Sequence, residues 1–167
     1  TPTRIQQLWQ RGNPFSWHLY LEASLIFTSD QHDFLRSLGK PEKYNNCYND
    51  CKKFYLAFKD ARESLTESES VIFDLSTIFL SIRNIAICFS LGLTKSPVFS
   101  RHAALLLAER SIPVSTNVYK TFEAARILST RGIGEKILKP EIDQAIQNLD
   151  CIDDWMKSLL EEVSRNG

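Results

Sequence analysis

The sequence has no excess of charge of either sign. Twenty basic and twenty acidic side chains give the 167 residues a formal net charge of zero. A field of one sign over the whole protein, which holds nucleic acid by bulk charge, is therefore excluded. Binding of a nucleotide or a nucleic acid would need a local cluster of basic side chains.

Glycine and proline are scarce, with six of each, which excludes collagen-like order and argues against disorder. The hydrophobic fraction of 43% is ordinary for a globular protein with one main core. No secretory signal precedes the four cysteines, and they fall in segments that have the pattern of apolar helix faces. We therefore expect reduced, buried thiols in a cytoplasmic protein. These cysteines are Cys47, Cys51, Cys88 and Cys151.

Only one apolar run, residues 71–91, is long enough to suggest a membrane span. Asp74 and Arg83 lie inside this run. Each charge near the centre of a bilayer costs about 3 kcal/mol on insertion scales. We therefore predict a buried helix in a soluble bundle and no membrane partner.

Helical periodicity dominates the sequence from residue 41 onward. Between Tyr44 and Leu65 the apolar residues step by three and four positions, as in a helix packed nearly antiparallel against its neighbours. Capping residues, prolines and glycines predict further helices over 70–91, 97–109 and 115–129, and a last helix from Pro140. The sequence thus predicts an all-α, antiparallel bundle of five to six helices over residues 41–167.

The N-terminal residues show a different pattern. From 15 to 27 the odd positions are apolar and most even positions are polar, which is the period of a β-strand. A short helix over 30–38, with Asp30 as its N-cap, is predicted to follow. One strand is not stable alone in water, so its partner would be segment 3–9, another subunit or an absent domain. We therefore expect residues 1–40 to form a strand and helix segment, the tail of a preceding domain, an expectation that fits the missing initial methionine.

A single arginine, Arg83, lies in the middle of the apolar run. Removing a guanidinium from water costs several kcal/mol unless a carboxylate, a phosphate or carbonyl groups receive it. Asp74 precedes Arg83 by nine residues, which places it on the opposite face of the helix. Two interpretations are open: a salt bridge to another helix, or an anion site for the phosphate of a nucleotide or RNA.

The pattern Arg83-Asn84, followed by Cys88 in a long apolar helix, resembles the signature of HEPN domains (higher eukaryotes and prokaryotes nucleotide-binding). That signature is an arginine, commonly followed by a polar residue, with a histidine four to six residues beyond. Cys88 stands where the histidine of the Arg-x4-His spacing would fall. The resemblance covers residues 44–130 and implies that Arg83, Asn84 and Cys88 contribute to ligand binding.

In HEPN ribonucleases the arginine and histidine cleave RNA without a metal, usually across a dimer. A buried cysteine has a raised pKa and is a poor substitute for histidine in acid–base catalysis. His102, which follows Arg101, could replace it, so we add His102 to the expected ligand-binding residues. We predict no catalytic residue, no metal ligand and no cofactor.

HEPN domains frequently accompany a minimal nucleotidyltransferase. The resemblance therefore implies a homodimeric module that binds a nucleotide or RNA and recognises substrate for a nucleotidyltransferase domain or subunit. The Gly-Ser and paired-aspartate motif of the transferase itself does not occur in the sequence. Two alternatives stay open: a metal-independent ribonuclease of a toxin–antitoxin system, and a structural dimerisation module.

Basic residues also cluster around a short glycine-containing loop, residues 131–134. They could contact phosphates together with the backbone amides of the loop, or they could simply be solvated charges. These basic residues are Lys120, Arg126, Arg131 and Lys136.

Overall fold

The structure, a computed structural model, describes residues 1–28, 32–67 and 69–166. Within these ranges the chain forms eight α-helices and no strand, which confirms the all-α fold class. Two 3₁₀ turns, Ala103–Leu105 and Ala108–Arg110, separate the fifth helix from the sixth. The helices are α1 (Pro2–Gln10), α2 (Pro14–Glu22), α3 (Phe34–Ser37), α4 (Cys47–Ser64), α5 (Val71–Leu93), α6 (Thr116–Arg131), α7 (Lys139–Gln147) and α8 (Leu149–Asn166).

The chain divides into two compact units, residues 1–46 and the residues from Cys47 onward. The N-terminal unit contains α1, α2 and α3. Among the described residues of the second unit there are five α-helices, α4 to α8, as in the predicted bundle.

The predicted N-terminal β element is wrong, because its first residues form α2. The side chain of Asn13 caps this helix by accepting a hydrogen bond from the backbone N–H of Phe15 at 2.9 Å. Pro14 occupies the first helical turn, where its fixed φ favours a helix. This capping signal outweighs the alternation of apolar and polar residues.

The helix predicted over 30–38 is too long. Helix α3 covers only Phe34–Ser37, and Asp33 caps it by accepting from the backbone N–H of Arg36 at 3.0 Å. Asp30, the predicted cap, lies outside the described residues.

Helix α5 is the centre of the C-terminal unit. It packs against α4, α6 and α8, and the side chains of Ile78, Ile82 and Ile85 have no exposed surface. By length and composition α5 could also cross a membrane, but 61% of its most apolar window is buried inside the protein. This burial fits the core helix of a bundle, as the sequence predicts.

The helix predicted over 97–109 does not form; this stretch contains only the two 3₁₀ turns. A side chain from α6 takes one carbonyl group that the helix would use, and a side chain from α8 binds the carbonyl of the residue just after the predicted helix. Tyr119 donates its hydroxyl to the carbonyl of Arg101 at 2.7 Å, and the indole of Trp155 donates to the carbonyl of Arg110 at 2.8 Å. Tertiary hydrogen bonds thus override the local helical signal.

The last predicted helix is broken into α7 and α8 at Asn148. The side-chain amide of Asn148 donates to the carbonyl of Gln144 at 2.9 Å. Asparagine competes in this way with helical hydrogen bonds and favours helix ends. The break lets α7 pack on α6 while α8 packs on α4 and α5.

An ion-pair network joins α4 to α8 around Asp153, whose side chain is only 8% exposed. Its Oδ2 lies 2.9 Å from Lys157 Nζ, 3.6 Å from Arg62 Nη1 and 3.9 Å from Lys59 Nζ. Burial raises the pKa of the Asp153 carboxyl, but hydrogen bonds from Lys157 and Tyr55 and the charge of Lys59 outweigh it. The pKa of Asp153 therefore lies below its ordinary value.

We expect Asp153→Asn to lower the free energy of unfolding at pH 7 by about 2 kcal/mol, less than for a fully buried pair because the basic partners are partly exposed. A depressed folded-state pKa stabilises the protein above the ordinary aspartate pKa of about 3.9, and this contribution is lost as the pH falls through the folded-state value. Urea unfolding at pH 7 and pH 3 measures the difference from wild type.

The neighbouring Asp154, with a side chain 79% exposed, supplies the matched control Asp154→Asn, which should change stability little. A difference between wild type and Asp153→Asn that is as large at pH 3 as at pH 7 would contradict this account.

Candidate functional site

A cleft of about 370 Å³ opens on the C-terminal unit beside α5 and α6. Its lining includes four guanidinium groups and one carboxylate, a formal net charge of +3 in a chain whose total is zero. We call it the arginine cleft. It is lined by Phe79, Leu80, Arg83, Arg101, Glu123, Arg126, Ile127, Thr130 and Arg131.

Helical spacing brings most of these residues together. On α6 the lining begins at Glu123, continues at Arg126 and reaches Thr130, steps of three and four positions that lie on one helix face. On α5, the residues that line the cleft are Phe79, Leu80 and Arg83. Arg101 comes from the irregular segment between the helices, where the hydroxyl of Tyr119 holds its backbone carbonyl.

The guanidinium of Arg83 is half-buried and poorly compensated. Its Nη2 donates to the carbonyl of Phe99 over a long 3.4 Å, and its buried Nε has no hydrogen-bond partner in the described part of the chain. Burial lowers the pKa of Arg83; the phenol of Tyr119 raises it, and the charges of Arg101 and Arg126 lower it further. Among residues 1–28, 32–67 and 69–166, no carboxylate forms an ion pair with Arg83.

Glu123, the single carboxylate in the lining of the cleft, pairs with Arg101 and not with Arg83. Glu123 Oε1 lies 3.2 Å from Arg101 Nη1, and Oε2 lies 3.4 Å from His102 Nε2. Arg126 makes a marginal contact, 3.5 Å from its Nη1 to Ser76 Oγ. Three of the four guanidinium groups therefore face the cleft without a carboxylate from the described chain.

The predicted site residues separate into two groups. Arg83 lines the cleft, and exposed His102 lies at its edge through the contact with Glu123. Asn84 is half-buried on α5 and is outside the lining. Cys88 is buried against α4, where the thiol of Cys47 donates to its carbonyl at 3.2 Å. Five positions correspond to about 140° around a helix, so Cys88 faces away from Arg83.

Sequence reasoning found part of the cleft. The sequence indicates Arg126 and Arg131 as basic residues near the glycine loop, but it does not predict Arg101 or Glu123 as site residues. The other two basic residues, Lys120 and Lys136, line a separate depression beside α6 and α7. The spacing of Glu123, Arg126 and Thr130 was the available signal, although it equally suits a solvated helix face.

No protein family, curated protein or solved structure matches this chain. The chemistry of the arginine cleft is therefore interpreted from its own residues.

Replacing Arg83 by methionine should leave the free energy of unfolding unchanged or raise it by about 1 kcal/mol, since it removes a desolvated charge and keeps most of the volume. Urea unfolding at pH 7 measures the change. The matched control is Arg62→Met, which removes a guanidinium that pairs with Asp150 and Asp153 and should destabilise the protein. A loss of several kcal/mol in Arg83→Met would instead favour a structural role for Arg83.

Proposed function

We propose that the C-terminal unit binds the phosphate groups of a nucleotide or RNA in the arginine cleft and acts as a substrate-recognition module without catalysis of its own. The observation that carries this proposal is a cleft lined by four arginines and one carboxylate, in which half-buried Arg83 lacks an ion pair among the described residues. Such a site is costly for an isolated protein. A bound anion would offset that cost.

The residue type fits phosphate better than other anions. Guanidinium groups present several N–H donors in a planar fork that matches two oxygens of one phosphate. A bound phosphate would supply the negative charge that Arg83, Arg126 and Arg131 lack within the described chain. The neighbouring apolar side chains of Phe79, Leu80 and Ile127 reduce access of water, which strengthens charge–charge attraction.

The resemblance to HEPN domains supports the same ligand class, because Arg83, the arginine of that motif, lines the cleft. The nucleotidyltransferase domain or subunit and the homodimer belong to this proposal and rest on the resemblance alone. Cys88 is placed away from the cleft, so the binding role proposed here rests on the arginines.

Calorimetric titration with ATP and with short single-stranded RNA, at low salt, tests the proposal. We expect Arg126→Gln to weaken binding by about tenfold or more, since hydrogen bonds to charged groups contribute about 1.5–3 kcal/mol. Higher salt should weaken binding of the RNA in wild type. The matched control is Arg165→Gln on α8, whose side chain is 73% exposed and pairs with Glu161.

The control variant should bind as wild type does. If neither ATP nor RNA binds to folded wild-type protein, the proposed function is wrong.

A second candidate, the metal-independent ribonuclease, is favoured by the position of His102. Histidine is the side chain that most readily exchanges a proton near neutral pH. Its Nε2 lies 3.4 Å from Glu123 at the edge of the arginine cleft, where cations could stabilise charge developing on a phosphate. His102 therefore lies close to several arginines, although the position of the HEPN histidine is occupied by Cys88.

Incubation of excess purified protein with mixed RNAs and EDTA separates the two candidates. A recognition module without catalysis should leave the RNA intact. Cleavage that is lost in both Arg83→Ala and His102→Gln, but kept in His18→Gln, would favour the ribonuclease. His18 is a suitable control because it lies in the N-terminal unit, paired with Glu22.

A further inference from the structure

Glu123 is the one carboxylate among the described residues that line the arginine cleft. Its side chain is only 14% exposed, whereas that of its partner Arg101 is 54% exposed. The two carboxylate oxygens contact two different groups, Arg101 at 3.2 Å and His102 at 3.4 Å. A negative charge of the protein thus already occupies one side of an otherwise cationic site.

We propose that Glu123 is an internal counter-ion that limits the affinity of the cleft, because its negative charge repels an anionic ligand and already pairs with Nη1 of Arg101. This inference rests on the proposed function, since it concerns the same cleft. It assigns Glu123 a role that the sequence did not suggest: setting how strongly the site binds phosphate groups.

The geometry gives the four arginines unequal roles. Arg83, Arg126 and Arg131 have no ion pair among the described residues and are available to the ligand at once. The charge of Arg101 is already offset by Glu123, so Arg101 attracts an anionic ligand less strongly than an unpaired arginine would. A phosphate group carries up to two negative charges and three acceptor oxygens, and it can therefore compete with one carboxylate.

The guanidinium of Arg101 can also exchange Glu123 for a ligand as its partner. The hydroxyl of Tyr119 fixes its backbone carbonyl at 2.7 Å, while its guanidinium stays more than half exposed. The anchor point is therefore held while the end of the side chain can turn between Glu123 and a ligand. If Glu123 instead oriented Arg101 toward the ligand, removing its charge would weaken binding. An experiment can therefore distinguish the two roles by whether the affinity rises or falls.

Calorimetric titration with inorganic pyrophosphate compares wild type with Glu123→Gln, which keeps the shape of the side chain and removes its charge. We expect Glu123→Gln to bind pyrophosphate about tenfold more tightly, since it releases Arg101 and removes a repulsive charge. The matched control is Glu162→Gln, which breaks the exposed pair with Arg110 and should leave the affinity unchanged. Thermal unfolding checks that each variant is folded, and Glu123→Ala replaces Glu123→Gln if the latter is not.

An affinity in Glu123→Gln that equals or falls below that of wild type would overturn this inference while leaving the proposed function intact. If pyrophosphate, ATP and RNA all fail to bind both wild type and the variant, the proposed function fails and the inference with it.

Discussion

Burial of α5 on nearly all sides is the constraint on which the C-terminal unit depends. Because α4, α6 and α8 all pack against this helix, a polar group on it has to be satisfied within the bundle or at an opening in its surface. Its small hydroxyl residues meet this requirement locally, as Ser81 does by donating to the carbonyl of Thr77 at 3.0 Å. Arg83 cannot, because its guanidinium is too large and its charge does not find a carboxylate among the described residues.

The two charge clusters of the C-terminal unit differ in how their cations are paired. Between α4 and α8, Asp153 lies among Lys59, Arg62 and Lys157, so that cations surround one buried acid. Beside α5 and α6, Glu123 contacts Arg101 and His102, whereas Arg83, Arg126 and Arg131 have no ion pair among the described residues. The first cluster compensates its charge and joins two helices. The second leaves positive charge uncompensated, and such an imbalance at a cleft is typical of a binding site.

Much of the fold could be predicted from the sequence. Periodicity and capping predicted α4, α5 and α6 within a few residues. The side chain of Ser115 caps α6 by accepting a hydrogen bond from the backbone N–H of Val118 at 3.3 Å. The alternation in residues 15–27 misled because α2 has no single apolar face, and the Asn13-Pro14 cap was the better signal. The 97–109 stretch could not be predicted, because a side chain outside it, that of Tyr119 on α6, takes one of its carbonyl groups.

The sequence by itself determined that the protein is helical, that residues 71–91 form its core helix and that this helix carries two charges, Asp74 and Arg83, because periodicity and hydrophobicity are local properties. Only the tertiary structure decided which charges meet. It placed Arg101 and Glu123 beside Arg83 and turned Cys88 toward α4, since a contact between helices depends on their packing and rotation. The physical reason is that a side chain's own segment fixes which face it lies on, whereas the neighbour opposite that face comes from residues far away in the chain.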